Sequence, residues 1–308
     1  MTKYFPFYFV AFILSYLIMT SGLHGDDYTV VNSFNGYSFW NFIGLTPDEV
    51  GSLILNPVSF YGLWWAYAVL GNEYQIIYDL IKILSSVISV YLIFRFFSDY
   101  MSYDRAIIAS FIFVLYPLHD TTLYWYMTLQ YILAPAILLY AHHLIRNNKI
   151  RKGFLVTIIG SFLSYASPPY LFGLTVIFLY EKKLKKAIVF ATPGILYVAY
   201  YFWMKFNYAG LERRINSDLS ILDFLKQMLI QPLSFLESAI GPSYWLKVFY
   251  AIESIGFISI IIITMILIFS FIRVKSFSKV RKLPKSLYIG LISVLLLSFG
   301  MFALTGLY

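Results

Sequence analysis

Two short stretches of this sequence carry side chains able to move protons. His24-Gly25-Asp26-Asp27-Tyr28 follows directly on an uncharged apolar run, and Pro117-Leu118-His119-Asp120 lies at the end of another. A carboxylate whose proton affinity is raised by partial burial serves as a general base for an attacking hydroxyl, a role worth about 10²–10⁴-fold in rate. Two carboxylates flanking one bond are also the equipment of glycoside hydrolysis. Hard or borderline cations accept carboxylate and imidazole, so His24, Asp26, Asp27, His119 and Asp120 offer ligands, but no spacing among them compels a metal site. The expectation is no cofactor and no metal. Each motif alone also fits a solvated acidic loop. Both abut helix ends, where a carboxylate beside a membrane is costly unless used or paired.

Composition says what must position these groups. Hydrophobic residues make up 60% of the 308-residue chain, charged residues 12%, and the mean hydropathy is +0.74. Soluble domains average roughly 45–50% apolar and about 25% charged residues. These figures exclude disorder, a coiled coil and an ordinary soluble enzyme, and predict an all-α, polytopic transmembrane helix bundle. Cysteine is absent, which removes disulfides, thiolate metal sites and a Cys nucleophile.

A bilayer core of about 30 Å needs roughly 20 apolar residues per helix. Candidate spans run over 4–21, 76–97, 106–119, 121–144, 187–207, 248–272 and 286–308. The first follows Lys3 and reads as a retained anchor rather than a cleaved signal, despite small Thr20, Ser21 and Gly22. Residues 153–180 are too long for one span and are broken by Ser167-Pro168-Pro169, which predicts two helices meeting at the Pro pair. The long loop 22–75 contains Asp26, Asp27, Asp48, Glu49 and Glu73 and no Lys or Arg. Within it Thr46-Pro47-Asp48-Glu49 is a helix start, and 40–55 and 61–70 read as interfacial helices. Residues 208–247 read as a polar outer loop.

Positive charge orders these spans. With nine spans and the amino terminus inside, the inner loops hold Lys3, then Arg95 and Arg105, then Arg146, Lys149, Arg151 and Lys152. Lys182, Lys183, Lys185 and Lys186 follow, and last Arg273, Lys275, Lys279, Arg281, Lys282 and Lys285, which makes 17 of the 23 basic residues. The +8 net charge is thereby explained without nucleic acid. Both acidic motifs fall on the outer side, at one membrane depth. Asp79 and Lys82, one turn apart on the second span, are expected to neutralise each other.

A first span, an Asp-Asp pair just beyond it, a long outer loop with interfacial helices and a second Asp at an outer turn together resemble the GT-C superfamily. These are integral-membrane glycosyltransferases that use polyprenyl-phosphate-linked sugars; protein O-mannosyltransferases, lipid A aminoarabinose transferases and O-antigen glucosyltransferases are similar in layout. The resemblance covers residues 4–207, a catalytic module with outer loop 22–75, and leaves 208–308 as an outer loop with two further spans. Asn56-Pro57 stands where many relatives have Arg-Pro.

The resemblance implies transfer of a sugar from a polyprenyl-phosphate donor to a glycan, lipid or protein acceptor at the outer face, with inversion and no required metal. It implies Asp27, or its neighbour Asp26, as the base, and Asp120 as an orienting group, with His24 and His119 beside them. A leaving phosphate wants outer Arg or Lys. Arg213-Arg214 is the first choice and Lys205 the second, an anionic-lipid contact being the alternative use of the pair. Trp125 and Tyr126, just after Asp120, are candidate sugar-stacking residues. A Lys-, Ile-, Phe- and Tyr-rich composition suggests a low-GC bacterium, and the expected location is its cytoplasmic membrane. A transporter or flippase of lipid-linked sugars and a polysaccharide polymerase are the alternative readings.

Overall fold

The computed structural model describes residues 5–115, 120–208, 219–254, 261 and 282–304. Every regular element among them is helical. Two compact units are present: residues 1–214 with 284–298, and 215–283 with 299–308.

In the first unit, α1 (Phe5–Ile18) leads through a turn to α2 (Asp26–Phe34), then to the short helices α3 (Phe39–Ile43), α4 (Pro47–Val50), α5 (Pro57–Ser59) and α6 (Trp65–Leu70). The start expected at Thr46 is present as a capping box, with the Glu49 carboxylate accepting from the Thr46 backbone N at 2.7 Å. Asn56-Pro57 breaks this stretch, and the helices on either side are bent by 112°.

Long helices follow: α7 (Gln75–Phe97), α8 (Tyr103–Leu115), the short α9 (Asp120–Tyr124), α10 (Gln130–Arg146), α11 (Ile150–Leu163), α12 (Ser167–Tyr180) and α13 (Leu184–Asn207). α7 and α10 form the spine. α1 and α8 pack on α7, while α11, α12 and α13 pack on α10 and on one another. Pro168 and Pro169 start α12 in its first turn, where a missing N–H costs nothing. α11 and α12 are therefore separate helices, each 14 residues and about 21 Å long.

The helices run between two chemically distinct ends. One gathers Ser21–Asp27, the 54–59 break, Tyr124–Met127 and the α11–α12 junction. There Ser59 Oγ donates to Leu163 O at 2.6 Å, Tyr165 N to Asn56 Oδ1 at 2.7 Å and Tyr197 OH to Leu55 O at 2.8 Å. The opposite end gathers Arg95, Asp99, His143, Arg146, Glu181 and Lys183, with Arg146 Nη1 2.8 Å from Glu181 Oε1 and His143 Nδ1 2.9 Å from Asp99 Oδ2. α11 climbs from the basic end to the acidic one and α12 returns.

α7 buries its polar side and exposes its apolar one. Its buried face carries Asp79, Lys82, Ser85, Ser86 and Ser89, and its exposed face Leu80, Leu84, Ile88 and Tyr91. A water-soluble helix has the reverse arrangement. Among the described residues, residues 75–97, 127–146, 184–207 and 285–303 are long and apolar enough to cross a membrane, and the bent 47–70 pair would make a fifth span. Phe5–Ile18 and α12 are apolar but shorter.

α14 (Ile221–Ile240) and α15 (Pro242–Ser254) belong to the second unit, separated at Gly241. The stretch read as a polar loop is thus largely helical. Its apolar residues recur on one helix face, so net polarity concealed the period. α16 (Lys285–Ala303) contributes its first part to the first unit. A Cβ on Gly173 would lie 2.5 Å from Val294 N, so only glycine lets α12 and α16 approach this closely.

Candidate functional site

The acidic end is built from the turn that leaves α1. Ser21 Oγ and Gly22 N both donate to Asp79 Oδ1, at 3.0 and 2.9 Å, and Leu23 N donates to Gln75 Oε1 at 2.7 Å. Lys82 Nζ lies 2.9 Å from the same Asp79 oxygen and donates to Ser21 Oγ, Gly22 O and Tyr124 O. The expected Asp79–Lys82 neutralisation is present, and it also ties three chain segments together. A buried ion pair survives only with its remaining donors and acceptors satisfied, and here neighbouring groups satisfy them.

Gly25 has φ +52 and ψ −121, a conformation reserved for glycine, and a Cβ there would sit 2.6 Å from the Trp125 ring. That close approach brings the chain straight into α2, with Asp26 and Asp27 in its first turn, where carboxylates favour the helix dipole.

The two acids diverge from this point. Asp27 is fully buried and accepts four hydrogen bonds. His24 N (3.1 Å) and Tyr126 N (2.9 Å) donate to Oδ2, while Tyr67 OH (2.6 Å) and Met127 N (2.8 Å) donate to Oδ1. A carboxylate has about four acceptor positions. All are filled, which leaves no lone pair for a substrate proton. Asp26, one position earlier, is exposed and has no hydrogen bond or ion pair among the described residues.

The remaining site residues fall into four groups. His24 and Trp125 flank the turn: the His24 ring centroid is 6.1 Å from that of Tyr124, and its buried Nε2 has no partner. Tyr126 is buried, edge-on to Tyr67 and Tyr78, and donates its hydroxyl to Leu63 O at 2.8 Å. Its ring has no open face for a sugar, whereas Trp125 is partly exposed. Lys205 lies in the last turn of α13, at the acidic end. Asp120 opens α9, but its side chain, like His119, Arg213 and Arg214, lies outside the described residues.

Sequence reasoning missed Tyr67, which completes the Asp27 shell from α6, and gave Lys82 only the role of partner to Asp79. Asn56 is occupied in holding the α11–α12 junction, where its Oδ1 accepts from Tyr165 N. Among the described residues no three His, Asp or Glu side chains gather into a metal-binding cluster.

Chemically, this end offers the unpartnered, exposed Asp26 carboxylate, next in sequence to a turn whose His24 Nε2 has no partner and whose Trp125 indole is partly exposed. Compared with protein-family models, with characterised proteins and with solved structures, the chain matches none.

Proposed function

We propose that this chain is an integral-membrane glycosyltransferase of the GT-C kind, moving a sugar from a polyprenyl-phosphate donor to a glycan, lipid or protein acceptor. Asp26 is the base. The acceptor hydroxyl gives its proton to the Asp26 carboxylate as its oxygen bonds to the anomeric carbon. The bond from that carbon to the phosphate oxygen breaks on the opposite face, polyprenyl phosphate leaves with the electron pair, and configuration inverts. Asp27 is a positioning residue that holds the α1–α2 turn against the 124–127 segment. His24 and Trp125 border the reacting sugar, Asp120 orients it, and Lys205 with Arg213-Arg214 receives the phosphate.

One observation carries the reading: a free, exposed Asp26 beside a saturated Asp27, at the end of the bundle opposite the basic cluster. The up-and-down course of α11 and α12 favours nine crossings, with the amino terminus in the cytoplasm and the site on the outer face of a bacterial cytoplasmic membrane. Transport finds less support, because Asp79 and Lys82, the ionisable pair inside the second span, are locked into the turn.

The test is a mass-spectrometric profile of surface glycans and lipid-linked sugars in cells with the parent gene, a deletion, or Asp26→Asn at matched expression. The expected result is that Asp26→Asn matches the deletion, losing one sugar from an acceptor while its polyprenyl-phosphate precursor accumulates. A parental profile would overturn the assignment. For topology, the chain's lack of cysteine makes single-Cys labelling direct. Cys at 24 should react with an impermeant reagent from outside and Cys at 183 should not.

A further inference from the structure

α14 is an amphipathic helix with its apolar side turned away from the protein. Leu222, Leu225, Leu229, Leu233, Leu236 and Ile240 recur at three- and four-residue steps, and all are at least 49% exposed. At 100° per residue they form one narrow stripe. The side that packs within the second unit is a different one: Gln227 is buried, Gly300 approaches Met228, and Phe235 meets Phe299 at 5.8 Å between ring centroids. The third side is polar, with Asp223, Lys226, Ser234 and Glu237. α15 continues the pattern, exposing Trp245, Leu246, Phe249 and Tyr250.

We infer that α14 lies along the membrane surface, with this stripe sunk among the lipid acyl chains. The inference rests on the membrane reading of the chain and goes beyond the transfer reaction. Three features select lipid as the occupant. The stripe is purely aliphatic, whereas protein contacts concentrate Trp, Tyr and Arg and under-use Leu. Lys226 and Lys247 stand against Asp223, Glu237 and Glu253, an excess of a single negative charge, too little to attract a charged partner. Trp245 and Tyr250, amphipathic rings at the edge of the stripe, suit headgroup depth. In sequence, α14 stands between α13 and α16, both long and apolar enough to cross a membrane. The helix is therefore held in the plane of the interface by apolar area, flanked by Lys226 and Glu237, whose long stems reach back to water.

The experiment uses the full chain in phosphatidylcholine nanodiscs. Single Cys residues at 225, 229, 236, 223 and 234 carry a nitroxide, and collisions with oxygen and with a neutral nickel chelate are compared. Cys at 84, on the exposed face of α7, is the control. Oxygen should dominate at 225, 229 and 236 and the nickel chelate at 223 and 234, and replacing half the lipid by phosphatidylglycerol should leave this unchanged. Nickel dominance at 225, 229 and 236 with oxygen dominance at 84 would overturn the inference alone. Exclusion of both reagents from an immobilised label at 229 would also overturn it, in favour of a protein partner. Nickel dominance at 84 would overturn the membrane reading itself.

Discussion

The Asp27 carboxylate and the Tyr126 backbone N–H meet at 2.9 Å across 99 residues of sequence. This contact, with Met127 N on the other oxygen, fastens the segment after α9 to the first turn of α2. It occupies the Asp27 carboxylate within the fold, while the neighbouring Asp26 is exposed and has no hydrogen bond or ion pair among the described residues.

Substituting the two acids should therefore separate stability from activity. Asp27→Asn replaces one acceptor oxygen by a donor facing donors, and should cost about 2–4 kcal/mol. Asp26→Asn should change stability by no more than about 0.5 kcal/mol, while transfer falls by about 10²–10⁴-fold. Unfolding in detergent measures the first effect and single-turnover sugar transfer the second. Equal loss of stability in both variants would contradict the assignment.

Lys82→Met should destabilise the protein by about 3–5 kcal/mol, because it leaves the Asp79 carboxylate buried without its cation. Combining it with Asp79→Leu should restore part of that loss. A double-mutant cycle on thermal unfolding measures the coupling. Additive losses would show that the pair does not act as a unit.

At position 25 the backbone demands glycine and the indole leaves no room. Gly25→Ala should lower stability and transfer together. Adding Trp125→Ala should relieve the contact but leave the strain at φ +52. Partial recovery of folded yield in the double variant is the expected outcome, and full recovery would show that the steric contact alone mattered.

His142 is fully buried with neither ring nitrogen partnered, and it stacks on Phe178 at 4.1 Å and 12°. Replacing it by Phe keeps the stack and removes two unsatisfied polar atoms. His142→Phe should therefore raise stability by about 1–2 kcal/mol, read as a higher unfolding temperature. A fall of that size would reveal a hydrogen bond or ligand at the imidazole.

Glu181 predicts how acid acts on the basic end. Burial alone would raise its carboxyl, but hydrogen bonds from Lys183 at 2.6 Å and Arg146 at 2.8 Å overrule it and hold it at about 2, below the ordinary 4.5. The folded state then binds fewer protons than the unfolded state between these values, so stability rises with pH across that window. The Glu181 contribution is complete above about 4.5 and is lost as pH falls toward 2. Glu181→Gln should flatten this part of a stability–pH profile.

Much of the scaffold could be read from residue order. The apolar excess specified helices long and apolar enough to cross a membrane, Thr46 to Glu49 specified a capping box, and Ser167-Pro168-Pro169 marked where α12 begins, because each depends on chemistry within a few residues. The Asp79–Lys82 pair was legible for the same reason, being one helical turn apart.

Tertiary structure alone decided which acid is free. Adjacent helical residues point about 100° apart, so Asp26 and Asp27 are equivalent in composition and spacing, and only the segment packed across from them, 99 residues away, turns one inward. Trp125 and Tyr126 were separated in the same manner. Tyr67 entered the site from α6 through a contact that no local pattern encodes. Local sequence determines which helices form and where they start. The assignment of each side chain to the interior or to the site depends on partners distant in sequence, and those are brought together only by folding.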